Sequence, residues 1–409
     1  MRVLTVGNMY PPHHYGGYEL VWHSAVEHLR SRGHEVEVLT TDTDTGATEP
    51  DPPYVHRELE WRIRDAQFEP IGRLGKVRLA RQNHAVLERR LRELRPDIVA
   101  WWAMGGLSLT MLESVRRRGI PAVAFVHDDW LDYGRKVDGW LNMWRGDRQR
   151  FVPLAERLAG IPAGVDLDGA ATYMFGSERT RRHALSRGVT VTRTGVAQLG
   201  IHPDYLDPAP PQEWRWRLLY VGRLDPRKGV DTAVEAVPLL PEETTLELIG
   251  GWDSQEEERL RGIARELGIL DRVIFSGHRG RDEIAAAYAA CDAAIFPVRW
   301  EEPWGLVPLE AMGKGRPVVA TGRGGSAEYL RDGENCLLFE ADDARALADA
   351  LRRLSADPDL RARLHEGGLE TAARFTEPLY NEAVESALRA ALGAPDRRGG
   401  LSQELARPR

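Results

Sequence analysis

Glu302 and Glu310 bracket the segment Glu302-Pro-Trp-Gly-Leu-Val-Pro-Leu-Glu310. Pro308 suits the first turn of a helix, where a missing backbone N–H removes no intrahelical bond. That places Gly305, Leu306 and Val307 at the helix N-terminus, where backbone N–H groups collect an anion such as a phosphate. A carboxylate beside it, Glu310, can accept two hydrogen bonds from the vicinal hydroxyls of a ribose. Glu302, on the loop before the helix, would reach hydroxyls of a sugar carried by the same ligand. The plainer reading of Glu310 is a carboxylate that complements the helix dipole, worth ~0.3–1 kcal/mol. It leaves the rest of the segment unexplained.

A second cluster is Gly222-Arg223-Leu-Asp-Pro-Arg-Lys228-Gly229. Fixed Arg223 and Lys228, with glycines such as Gly222 permitting close backbone approach, suit a diphosphate. Such cations stabilise the charge that grows on a leaving phosphate oxygen without needing a metal. A solvated basic turn is the competing reading. The loop Tyr10-Pro-Pro-His-His-Tyr-Gly16-Gly17 lacks the spacing of a dinucleotide fingerprint, yet Gly16 and Gly17 opening a helix can still approach a phosphate or a sugar. His127 ends an apolar run and precedes Asp128, Asp129 and Trp130. The stretch that follows adds Tyr133, Trp140 and Trp144, whose flat faces suit a cyclic acceptor, the alternative being a helix whose tryptophans pack on neighbouring loops. Asp-x-Asp pairs at Asp42/Asp44, Asp166/Asp168 and Asp357/Asp359 could recruit a metal, but among 62 acidic residues they recur by chance. No Cys/His cluster has zinc spacing, so no metal is expected.

These residues need elements to hold them at strand ends. Short β-rich runs alternate with amphipathic helical stretches, the pattern of parallel sheets built from βαβ units. Strands are predicted at Val3–Val6, Glu35–Thr40, Ile98–Trp101, Ala122–Val126, Leu218–Val221, Leu246–Ile249, Val273–Phe275, Ala293–Phe296 and Pro317–Ala320. A helix after Gly17 shows Leu20, Ala25, Val26 and Leu29 on one face and stops at Gly33. The conspicuous Gly, His, Arg, Lys and Glu residues all follow strands, where open α/β sheets bind ligands. The expected organisation is a Rossmann-like domain over 1–197, a proline-rich linker over 198–216 and a second Rossmann-like domain over 217–377. A helix over 378–392 is expected to cross back to the first domain, with a disordered tail over 393–409. The two doubly wound domains would face a central cleft.

Composition agrees with a globular chain: 42% hydrophobic and 29% charged residues over 409 positions. A formal net charge of −7 argues against a nucleic-acid partner. Two cysteines are too few for a disulfide framework. With no leader-like or membrane-spanning apolar stretch, a cytoplasmic setting is expected. A peripheral membrane contact stays open, because 57–95 holds eleven basic and six acidic residues.

Together the motifs resemble the retaining GT-B glycosyltransferases of family four, in the glycogen- and sucrose-synthase-like superfamily. The resemblance runs from MRVLTVGNMYPPHHYGGYE through RLLYVGRLDPRKGVD to EEPWGLVPLEAMGKGRPVVATGRGGSAEYL. It implies that Arg223 and Lys228 hold the donor diphosphate, Glu310 the ribose and Glu302 the donor sugar. It further implies that His127 meets donor hydroxyls, Gly16-Gly17 close on the phosphates, and the segment around His278 meets the base, mostly through backbone. The donor would be UDP- or GDP-linked and the acceptor a small molecule or glycan, with no cofactor. Rival readings are a nucleotide-sugar epimerase or hydrolase on the same fold and a two-domain sugar-binding protein. A glycosidase could also use two glutamates, but it has no use for Arg223, Lys228 and a ribose ligand.

Overall fold

The computed structural model describes residues 1–14, 16–61, 63–64, 67–68, 71–251 and 254–393. The tail expected beyond Gly393 lies outside the described residues. The chain divides into two compact units, one of Met1–Gln198 with Tyr380–Arg409 and the other of Leu199–Leu379.

The first unit holds β1 (Arg2–Val6), β2 (Glu35–Thr41), β3 (Val55–Leu59), the short pair β4 (Ile63–Arg64) and β5 (Gln67–Phe68), β6 (Ile98–Trp101), β7 (Ala122–Val126), β8 (Thr172–Phe175) and β9 (Thr194–Val196). Seven of these form a sheet in the order β3-β2-β1-β6-β7-β8-β9, with every pairing parallel. Buried on both faces, β6 and β7 read as unbroken apolar runs, IVAW and AVAFV. The helix Gly17–Ser31 buries Val21, Trp22, Ala25, Val26 and Leu29. Leu20 instead turns outward, at 39% exposure, because Val21 and Trp22 take the inner face expected of it. The helix ends in a Schellman arrangement: the Gly33 N–H donates to Arg30 O (2.9 Å) and the His34 N–H to Leu29 O (3.1 Å).

The second unit holds β10 (Arg217–Val221), β11 (Thr245–Ile249), β12 (Val273–Gly277), β13 (Ala293–Phe296), β14 (Val318–Ala320) and β15 (Leu337–Leu338). They form a parallel sheet in the order β12-β11-β10-β13-β14-β15. The order reverses between β10 and β13, and such a switch point leaves a crevice at the strands' carboxyl ends.

The stretch 198–216 was expected to be a linker, yet from Leu199 onward it packs on the second unit. The Ile201 N–H donates to Phe375 O (2.9 Å) and Tyr205 is buried against Tyr288. The Gln212 amide donates to Cys291 O (2.6 Å) and Asp292 Oδ1 (3.1 Å). The prolines set an extended path, and side chains between them anchor it.

The last helix, Glu377–Gly393, joins the first unit from Tyr380 onward. The Asn381 amide donates to Ser24 Oγ (2.8 Å). The Glu385 carboxylate meets His28 Nε2 (3.2 Å), His34 Nε2 (3.1 Å) and Arg389 (2.7 Å). Burial alone would raise the Glu385 pKa, but the hydrogen bonds from His34, Arg389 and His28 outweigh it and hold it at about 2. A carboxylate held down in the fold contributes stability fully above its unfolded pKa, near 4.5, and loses it as pH falls toward about 2. Urea unfolding should therefore show wild type more stable than Glu385→Gln near neutrality, with the gap closing between about pH 4.5 and 2. A gap that stays constant across that window contradicts the assignment.

Candidate functional site

In the second unit the site grows from the ends of β10 and β13. The chain leaves β10 through Gly222 and Arg223, whose carbonyl accepts from the Tyr220 hydroxyl (2.7 Å). A short turn, Pro226–Lys228, follows, capped by Asp225, which accepts from the Arg227 N–H (2.9 Å). Gly229 then sits at φ +66°, where a Cβ would collide with the Pro297 carbonyl. Only glycine lets the turn carrying Lys228 lie this close to the strand-end loop after β13.

From that loop Glu302 meets Lys228. The ammonium donates to Glu302 Oε2 at 2.7 Å, with both side chains 14% exposed. The Trp300 indole N–H donates to the same oxygen (2.7 Å). Its ring lies beneath Arg227 (4.7 Å) and farther from Lys228 (5.8 Å). Gly305, at φ +88°, caps the helix Leu306–Gly313, and the Tyr329 hydroxyl donates to its carbonyl. Pro308 is the third residue of that helix, within the first turn as expected. One helical turn from the end, Glu310 accepts from the buried Tyr288 hydroxyl (3.0 Å). Burial pushes the Glu310 carboxyl up to about 7, against the opposing pull of Tyr288 and Arg281. His278 stands exposed just beyond β12, with Arg279 donating to its carbonyl (3.4 Å). Thus Lys228, Glu302 and Trp300 are in direct contact, while Gly305, Leu306, Val307 and Glu310 share one helix start.

In the first unit His127 follows β7 and is 6% exposed. Its Nε2 lies 2.9 Å from the Tyr380 hydroxyl, and Tyr18, whose hydroxyl donates to the Phe125 carbonyl, stacks at a tilt 4.6 Å away. Burial drives the His127 pKa down to about 3, so the ring is neutral at physiological pH. The Nδ1 atom is buried and has no hydrogen-bond partner among the described residues. Gly16 caps the helix Gly17–Ser31 in extended backbone, and its N–H donates to Glu19 Oε2 (3.0 Å). Gly17, at the helix start, is exposed.

The aromatic stretch after His127 is largely packed into the unit rather than laid open on its surface. Trp130 is fully buried and Trp140 is 3% exposed, its N–H spent on Pro162 O (2.7 Å). Trp144 packs edge-on against Trp140 at 5.3 Å. Trp130 and Trp140 are inside cores, where an indole gains from apolar burial, while Tyr133 and Trp144 are half-buried. Asp128, whose carboxyl burial raises to about 6, accepts from Tyr133 Oη (2.9 Å) and the Trp130 N–H (3.0 Å). Asp129 pairs with Arg179 (2.9 Å). The two later Asp-x-Asp pairs begin with helix caps: Asp166 accepts from the Gly169 N–H, and Asp357 from the Leu360 N–H.

Residues the sequence did not single out complete the site. Trp300 could have been noticed, being two positions from Glu302, whereas Tyr380 lies 253 positions from His127 and carries no local signal.

Two doubly wound units, with cations after one strand and an E-x7-E helix start after its neighbour, are the architecture of GT-B type glycosyltransferases. A family model described as Glycosyltransferase Family 4 matches residues 15–205, and one described as Glycosyl transferases group 1 matches residues 207–371. Together they span most of the chain, which belongs to this family of glycosyltransferases. Over 199 residues the chain is 39% identical to a D-inositol 3-phosphate glycosyltransferase of Acidothermus cellulolyticus, covering 46% of this chain and 44% of that one. It spans under half the length of the first several such relatives. It is 28% identical to glycogen synthase of Mycobacterium tuberculosis over 88% of this chain and 87% of that one. Sucrose-phosphate synthase from Thermosynechococcus elongatus superposes with a TM-score of 0.71 over 97% of this chain and 100% of that one, at 22% identity, a likeness of fold.

The placement of Trp130 has a direct consequence. Trp130→Ala should lose about 3–5 kcal/mol of unfolding free energy, the usual cost of emptying a buried aromatic site. Urea unfolding checks it, and a variant as stable as wild type would show that the ring is not core.

Proposed function

We propose that this chain moves a sugar from a nucleoside-diphosphate sugar to an acceptor hydroxyl, with retention of configuration and without a catalytic metal. The observation that carries the reading is the meeting of Lys228 and Glu302 beside the helix start that bears Glu310. No other use accounts as well for a cation, a sugar-height carboxylate and a ribose-height carboxylate at one strand-end crevice. An epimerase or hydrolase would share the donor site but consume donor with no acceptor present.

In this reading the bond between the anomeric carbon and the diphosphate oxygen breaks, and the electron pair stays on that oxygen. Arg223 and Lys228 stabilise the charge as it grows. The acceptor oxygen forms the new bond on the face the leaving group vacates, and its proton passes to the departing phosphate oxygen. Gly305–Val307 offer backbone N–H groups to the phosphates, Gly222 lets the backbone come close, and Glu310 accepts from the ribose hydroxyls. In this reading the segment around His278 meets the base, uracil or guanine, mostly through backbone. The neutral His127, with Nδ1 unsatisfied, suits a sugar hydroxyl, and in this reading the exposed helix start at Gly16 and Gly17 closes on phosphates when donor binds. Acceptors are small molecules or glycans. The buried thiols Cys291 and Cys336, both pushed up to about 12 by burial, suit a reducing cytoplasm.

The two glutamates separate by experiment. Glu310→Ala should weaken binding of UDP or GDP roughly ten- to a hundred-fold, the size of a lost hydrogen bond to a charged group. Glu302→Ala should abolish transfer yet leave nucleoside diphosphate binding equal or tighter, because it releases Lys228. Equal losses in both variants contradict the roles.

Glu310 also sets a pH dependence. Ribose hydroxyls donate to its ionised form, so binding should strengthen as pH rises through about 7. The phosphate of the ligand titrates nearby, so the test is the difference between wild type and Glu310→Gln in calorimetry. That difference should grow from pH 6 to 8, and a flat difference counts against the assignment.

A further inference from the structure

Large apolar side chains exposed close together are unusual on a charged surface, and the first unit has such a group outside the site. The turn Gly146–Phe151 runs into the helix Val152–Ala159. Phe151, Leu154 and Leu158 are 45%, 54% and 74% exposed, and their spacing puts them along one side of the helix. Ala155 faces inward, packed with Trp140, Ile161 and Ala80. Val77 joins the same cluster, which brings the first turns of the helix Arg73–Leu94 alongside, where Leu74 is 87% exposed.

The charge around this ridge is mainly basic, with Asp147 the one exposed acid of the turn. Arg148, Arg150 and Arg157 flank it and are exposed, and Arg150 lies 4.9 Å from the Phe151 ring centre. The helix acid, Glu156, is turned away, accepting from Arg117 (2.8 Å) and the Ala163 N–H (2.9 Å). The neighbouring helix carries Arg73, Lys76, Arg78 and Arg81 before its first acid, Glu88. A chain of net charge −7 thus gathers cations around this exposed apolar ridge.

We infer that this face docks on an anionic lipid surface, with Phe151, Leu154 and Leu158 entering the acyl boundary and the arginines engaging headgroup phosphates. A helix lying in the interface needs this pairing of an apolar stripe with basic flanks, and arginine stems can cover apolar surface while their heads reach phosphate. Among the described residues no helix is long and apolar enough to cross a membrane, so the contact is one of lying on, not spanning. The inference stands apart from the sugar-transfer reading, because its readout needs neither donor nor acceptor.

The test is co-sedimentation of the full chain with vesicles of phosphatidylcholine alone or mixed with phosphatidylglycerol. Wild type should bind the anionic vesicles preferentially, and added salt should weaken binding. Leu154→Gln with Leu158→Gln should lower the partition at least about tenfold with the melting temperature unchanged, since both side chains are already in water. Arg148→Gln, Arg150→Gln and Arg157→Gln together should erase the preference for anionic vesicles. Equal binding to both vesicle types, or an unaltered partition in the leucine variant, overturns the inference. So does a wild-type dimer in gel filtration that the leucine variant converts to monomer, which would assign the ridge to a second copy of the chain.

Discussion

The contact between Lys228 and Glu302 joins two segments 74 positions apart and fixes the shape of the strand-end crevice between β10 and β13. Everything local follows from it. The Pro226–Lys228 turn must lie against the loop after β13, which demands Gly229 where a side chain would strike Pro297. The loop must present Glu302 inward, which the Trp300 N–H secures. Each charge is largely withdrawn from water, so losing one partner strands the other, a change that typically costs about 3–5 kcal/mol for buried pairs. In the proposed reading an arriving diphosphate would offer Lys228 a stronger partner. That exchange would free Glu302 for a sugar hydroxyl at the moment the donor binds.

Three further polar groups of the two units follow one physical pattern. Each is withdrawn from water and held by a tyrosine: Glu310 by Tyr288, His127 by Tyr380, Asp128 by Tyr133. Burial raises the two carboxyls and lowers the imidazole, so all three move toward their neutral forms. Groups kept this way are costly unless a partner satisfies them. The unpaired His127 Nδ1 is the one place in this set where a ligand group would restore the balance.

Much of this was legible in the sequence where local chemistry repeats the fold's logic. β6, β7 and β13 are apolar runs with clear ends, and the residues that follow them are the ones a strand-end site needs. Two edge strands of the first sheet were not legible: β3 reads VHREL and β9 only TGV, with no apolar run to mark them, because each is held by a single neighbour; the internal β8, TYMF, was missed as well. The proline-rich stretch 198–216 looked like a linker because its anchoring comes from scattered side chains such as Tyr205 and Gln212. The burial of Trp130 and Trp140 was not legible for a related reason. A one-dimensional reading cannot tell a flat apolar face offered to a ligand from one offered to Ala155 or Ile161.

The central claim is that cations of the second unit, not a metal, hold a nucleoside diphosphate. Calorimetric titration of UDP and GDP in excess EDTA, into wild type and Lys228→Ala, tests it most directly. The account predicts that one of the two nucleotides binds wild type in EDTA, and that Lys228→Ala weakens it roughly ten- to a hundred-fold. Binding that appears only when magnesium or manganese is restored, or that is indifferent to Lys228, would contradict it.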